Sequence, residues 1–148
     1  MRALEIQRHG TWAGPPSDRI TLDFDDRCRR RIAMKSDGGL SFLLDLAAPP
    51  YLREGDAVVL EDGRLVEVRV KSEELAEIRG RDPWHLTTLA WHLGNRHLAA
   101  QIEADRILIR HDPVVAHMLE HQGARVTRVR EPFSPEGGAY LAHHGHEH

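Results

Sequence analysis

A chain of 148 residues, 41% hydrophobic and 29% charged, is long enough for one ordinary domain or two small ones and reads as a water-soluble, globular protein. Its formal charge of −3 argues against a general nucleic-acid binder, and no apolar run approaches the roughly 18–20 residues that a membrane span needs. Glu5 and Arg8 interrupt any basic-then-apolar secretion signal, so a cytoplasmic protein is the expectation. The single cysteine, Cys28, permits neither an intrachain disulfide nor a Cys-x-x-Cys site. Any metal site must therefore be built from imidazole, carboxylate and water, which favours Ni²⁺, Cu²⁺, Zn²⁺ or Co²⁺ over Cu⁺.

Residues 1 to about 70 read as short strands separated by turns. Ile20–Phe24 and Val58–Leu60 are largely apolar, and turn signals recur at Gly14-Pro15-Pro16, Asp37-Gly38-Gly39, Pro49-Pro50 and Glu61-Asp62-Gly63. Asp62-Gly63, set between Val58–Leu60 and Leu65–Val70, predicts a hairpin. The pattern suggests a small all-β barrel or sandwich over 1–72. Arg27–Arg31 is a basic cluster beside Asp25 and Asp26, and reads as a solvated hairpin end.

After Lys71–Glu74 the grammar changes. Asp82-Pro83 opens a helix, with Asp as N-cap and Pro at the first helical position. Trp84, Leu86, Leu89, Ala90, Trp91 and Leu93 give it an apolar stripe, and Gly94 reads as its stop. Thirty residues on, Asp112-Pro113 opens a second helix with Val114, Val115, Met118 and Leu119 on one face, ended by Gly123. Between them, Ala100–Ala104 and Ile107–Ile109 read as two strands around a turn at Asp105. Strands at about Leu75–Arg79 and Arg125–Arg130 complete a β-α-β-β-α-β order, the ferredoxin-like plan, over 73–131. The expected class is α+β, with a mobile His-rich tail over 132–148.

Eleven histidines in such a chain call for an explanation. His143, His144, His146 and His148 sit on an end with almost nothing apolar, so packing does not explain them and metal capture does. His9 and His85 read as surface residues, and His92 as a flank of the first helix's stripe. His117 and His121, four apart, share one helix face, a spacing that chelates a divalent ion but also suits two solvated residues. His97 follows the first helix, where the partial negative charge of the helix end favours a cation. One imidazole holds a transition metal weakly, so His97 needs partners from the tail, from His111, or from a second copy across a two-fold axis.

Leu93-Gly94-Asn95-Arg96-His97, the hairpin through Ile102 and Leu108, His111-Asp112-Pro113-Val114 with Met118-Leu119, and Pro132–Tyr140 before the histidines resemble the urease accessory protein E family of nickel chaperones. The match is dense over 82–148 and thin before it. The resemblance implies a homodimer joined through the ferredoxin-like domains, with His97 of both subunits sharing one Ni²⁺ and possible metal-linked tetramers. It implies that the tail histidines complete or feed that site and that the N-terminal domain resembles a peptide-binding module; by the usual ion order, Cu²⁺ and Zn²⁺ are expected to occupy the same imidazoles in vitro. The implied partners are the urease maturation GTPase and apo-urease, and no catalysis is expected. Some members carry a further histidine where this chain has Pro113, which leaves His111 between ligand and helix-flanking residue.

Two other readings compete. A metal-dependent hydrolase would use His97, His111 and Asp112, but no His-Glu-x-x-His motif or evident general base accompanies them. A ferredoxin-like binding module with an incidental tail would, for RNA, need aromatics on its strands, and the chain's three Trp, two Tyr and three Phe lie mostly elsewhere.

Overall fold

The computed structural model describes residues Met1–Glu136. The chain forms two compact units, Met1–Lys71 and the segment from Ser72 onward. The expected tail histidines, His143, His144, His146 and His148, lie outside the described residues. Among the described residues, no helix is long and apolar enough to cross a membrane.

The first unit holds β1 (Arg2–Gln7), β2 (Asp18–Leu22), α1 (Phe24–Arg27), β3 (Arg31–Lys35), β4 (Ser41–Asp45), β5 (Ala57–Leu60) and β6 (Leu65–Val70). Its six strands form one sheet in the order β2-β6-β5-β1-β4-β3. Asp62-Gly63 makes the turn between antiparallel β5 and β6, with Gly63 at φ +89°, a conformation glycine adopts without steric cost. Alternate residues such as Ile20 and Leu22, Phe42 and Leu44, and Val66 and Val68 point into one core. The sheet curls: beyond the edge strand β3, the Asp37 N–H donates to Arg19 O of β2 at 2.7 Å. The Asp18 carboxylate accepts from Ser36 Oγ and from the N–H groups of Arg19 and Gly38, which hold it below the usual carboxylate range despite some desolvation.

The basic cluster is solvated only in part: Arg29 and Arg31 are exposed, but Arg27 is not. Asp23 caps the short α1 by accepting from Asp26 N–H at 2.9 Å, and Arg27 at its end is fully buried. The Arg27 guanidinium lies 5.9 Å from the ring centres of both Phe24 and Tyr51 and donates to Leu52 O at 3.2 Å. A planar cation with an aliphatic stem packs against aromatic rings in this way, and Tyr51 is too distant in sequence for a charge run to reveal it.

The second unit holds β7 (Ser72–Arg79), α2 (Pro83–Asn95), β8 (Gln101–Ile102), β9 (Ile107–Arg110), α3 (Pro113–His121) and β10 (Arg125–Pro132). Its sheet runs β10-β7-β9-β8 with every neighbouring pair antiparallel. Both helices pack on one face: Leu86, Leu89, Leu93, Val115 and Leu119 meet Ala76, Ile78, Ile107 and Ile109. The structured chain runs past the boundary expected at 131/132. Pro132 still pairs with Ser72, and Phe133 is fully buried. Ser134 N–H then donates to Gln101 Oε1 at 2.9 Å, and Glu136 N–H to Ala100 O at 2.8 Å.

A charged cluster ties the β8–β9 turn to two strands of this sheet. Arg106 grips Glu131 of β10 with two hydrogen bonds of 2.8 Å, and reaches Glu103 and Glu77 of β7 at 3.0 Å each. Arg106 holds the Glu131 carboxyl below its ordinary value of 4.5, while Arg79 first and Arg106 second do the same for Glu77. A carboxyl depressed in the folded state contributes stability that is full above its unfolded value and lost as pH falls through the folded one. Denaturant midpoints of the second unit are therefore expected to fall as the pH drops below about 4.5, with Arg106→Met flattening that dependence.

Candidate metal centre

Helix α2 positions His97. Asp82 caps its start by accepting from His85 N–H at 2.7 Å, with Pro83 at the first helical position. At about 100° per residue, Leu86, Leu89 and Leu93 fall within roughly 60° of one another, and Trp84 and Trp91 fall on the opposite side. The leucines are buried, whereas Trp84 and Trp91 are 75% and 64% exposed. The single stripe expected from sequence is thus two faces, one packed on the sheet and one presenting two indoles. Val114 on α3 departs from expectation in the same way, at 78% exposed.

The helix runs through Gly94 to Asn95 and is closed by the loop carrying His97. His97 N–H donates to Gly94 O at 3.0 Å and Leu98 N–H to Leu93 O at 3.3 Å, the two bonds of a Schellman closure. Helix α3 ends identically, through Gly123 N–H to Glu120 O and Ala124 N–H to Leu119 O, each 3.0 Å. In α3 the left-handed position is Gly123 at φ +89°; in α2 it is His97 at φ +57°. Glycine is the usual occupant because a Cβ is strained there. His97 is thus an exposed imidazole in a left-handed backbone conformation at a helix end, a conformation that among non-glycine described residues only Tyr51 shares.

His111 follows β9 and is partly exposed, with its Nδ1 buried and without a hydrogen-bond partner. A cleft of about 180 Å³ has Leu98 and Ala99, just past His97, on one side and Arg110, His111 and Asp112 on the other. His111 thus lines this cleft together with Leu98 and Ala99, while His97 itself is not among the lining residues. The segment after β10 runs beside β8, since Glu136 N–H is bonded to Ala100 O, three residues beyond His97. Among the described residues, no group of three or more His, Cys, Asp or Glu side chains is assembled to hold a metal.

The other histidines divide clearly. His9 is exposed, as expected, and the His92 ring lies 5.2 Å from that of Trp91. His85 is not a surface residue: it is 4% exposed, its Nδ1 accepts from Arg81 N–H at 2.9 Å, and its Nε2 donates to Gln122 O at 2.9 Å. It joins the start of α2 to the end of α3, a role carried by a partner 37 residues away and hence invisible to local pattern. Asp112, the carboxylate a hydrolase would need, accepts from Val114 and Val115 N–H at 2.9 and 3.3 Å and is committed to capping α3.

Comparison with known proteins identifies the family. The family model for the N-terminal domain of the UreE urease accessory protein matches residues 2–71, and that for its C-terminal domain matches 73–148. A urease accessory protein UreE of Rhodopseudomonas palustris (strain HaA2) is 54% identical over 149 residues, spanning 100% of this chain and 69% of its own. One from Chelativorans sp. (strain BNC1) is 58% identical over 133 residues, 88% of this chain and 84% of its own. Urease accessory protein UreE 1 of Brucella suis biovar 1 (strain 1330) is 52% identical over 144 residues, 97% and 89% respectively. These relatives are named accessory proteins, not enzymes. With both domain models matched in order along its length, the chain belongs to the UreE urease accessory protein family.

Proposed function

We propose that the protein is a cytoplasmic, non-catalytic nickel carrier that binds Ni²⁺ between two copies of itself and delivers it for assembly of the urease active site. The observation that carries this reading is His97, an exposed imidazole held at φ +57° at the end of a helix whose outer face bears Trp84 and Trp91. One imidazole is a poor site, and a two-fold axis beside His97 supplies a second. The exposed indoles on the same helix offer the apolar surface that such a pairing buries.

The strand order β10-β7-β9-β8 with helices in both crossovers supports a ferredoxin-like reading of the second unit, here the dimerisation and metal-binding domain. His143, His144, His146 and His148 are further ligands. Their chain departs from Glu136 beside Ala100, and a short tether raises their local concentration to roughly millimolar. Each can let go separately, which suits a carrier that must release its cargo. His111 offers only Nε2 to a metal, since its Nδ1 is buried. Zn²⁺ and Cu²⁺ fit the same donors, so selectivity for nickel comes from supply and from partners, the maturation GTPase and apo-urease. The family membership supports that partnership.

Light scattering during a Ni²⁺ titration tests the dimer. The expected mass is about twice 16.8 kDa, with one tightly held ion per two chains. A monomer at all nickel levels removes the shared site.

A further inference from the structure

We infer that His117 and His121, projecting from one face of α3, form a second, exchangeable site for a borderline divalent ion such as Ni²⁺. Both lie in the helix Pro113–His121 and both are exposed. Four residues advance a helix by about 6 Å and slightly more than one turn, which stacks the two imidazoles on one side. Neither ring makes a hydrogen bond or ion pair among the described residues, unlike His85, whose two ring nitrogens are both engaged.

The second imidazole sits in the last turn of the helix, whose end is closed by hydrogen bonds. Gln122 N–H donates to Met118 O, Gly123 N–H to Glu120 O and Ala124 N–H to Leu119 O, so the last turn is closed around Gly123. Leu119 is fully buried and pins that turn from the inside. The closed helix fixes the two Cβ atoms about 6 Å apart on one side, so only side-chain rotamers remain to be ordered on binding. The negative end of the helix dipole lies beside His121 and favours a cation there. Two neutral imidazoles fill two positions of a borderline ion and leave the rest to water. Such a site loads and unloads readily.

This site stands apart from the carrier reading and does not depend on His97. The test is amide hydrogen exchange of α3 in the full-length protein, with and without Ni²⁺. At free Ni²⁺ ten times the site's Kd, α3 amides that exchange through local opening should slow about tenfold. Because the site is a chelate, His117→Gln or His121→Gln alone should abolish the slowing, and the double variant should add nothing. His97→Ala should retain it in full. Equal slowing in His121→Gln, or nickel uptake that leaves α3 exchange unchanged in the wild type, overturns the inference. Loss of the shared site in the light-scattering titration with α3 slowing intact would count against the carrier reading alone.

Discussion

Replacing His85 by alanine is expected to destabilise the second unit by about 3 kcal/mol, a large share of a small domain's stability. The ring is buried, and its removal leaves Arg81 N–H and Gln122 O without the partners they have at 2.9 Å each. Each buried group left unsatisfied costs about 1–3 kcal/mol, and the vacated volume adds to that. Urea unfolding followed by amide hydrogen exchange of β7 and β9 reads the second unit, since Trp84 and Trp91 are already exposed when it is folded. His9→Ala, at an exposed position, is the control and should move the midpoint by less than about 0.5 kcal/mol. Similar midpoints for the two variants would mean that the joint between α2 and α3 does not rest on His85.

His97→Gly is expected to change stability and metal binding in opposite directions. Glycine relieves the strain of a Cβ at φ +57°, as Gly123 does at the end of α3, and this outweighs the entropy glycine adds to the unfolded chain. The net gain should be about 1 kcal/mol, or roughly 2–4 °C in Tm for a chain of this size. The same variant should lose the shared nickel site. A protein both more stable and unable to bind nickel at its core would show that the histidine is kept there at a cost to the fold. A lower Tm in His97→Gly would mean that the imidazole stabilises the loop through contacts of its own.

Much of the architecture was legible because it is locally encoded. Asp62-Gly63 specifies the β5–β6 turn, and Asp82-Pro83 and Asp112-Pro113 each begin a helix by supplying a cap and a fixed φ. What escaped sequence reading depended on partners far along the chain or on angular placement. Arg27 is buried against Tyr51, and His85 is bonded to Gln122. Counting Trp84 and Trp91 into one stripe ignored that they lie about half a turn from the leucines; a projection at 100° per residue would have separated them. At the candidate site, the place of His97 beyond a helix end was readable. Its left-handed backbone was not, since Gly94 offered a more conventional stop and instead lies inside the last turn. The prolines and polar residues around Phe133 locally predict a tail, yet its ring is fully buried.

The measurement that bears most directly on the nickel-carrier account is a calorimetric Ni²⁺ titration of the metal-free protein beside His97→Ala and a chain ending at Ala142. The account predicts a tight site of one ion per two chains that vanishes in His97→Ala, while the shortened chain keeps that site and loses only the additional, weaker ions. If His97→Ala binds nickel as the wild type does, the metal is held elsewhere and the shared-interface site is wrong.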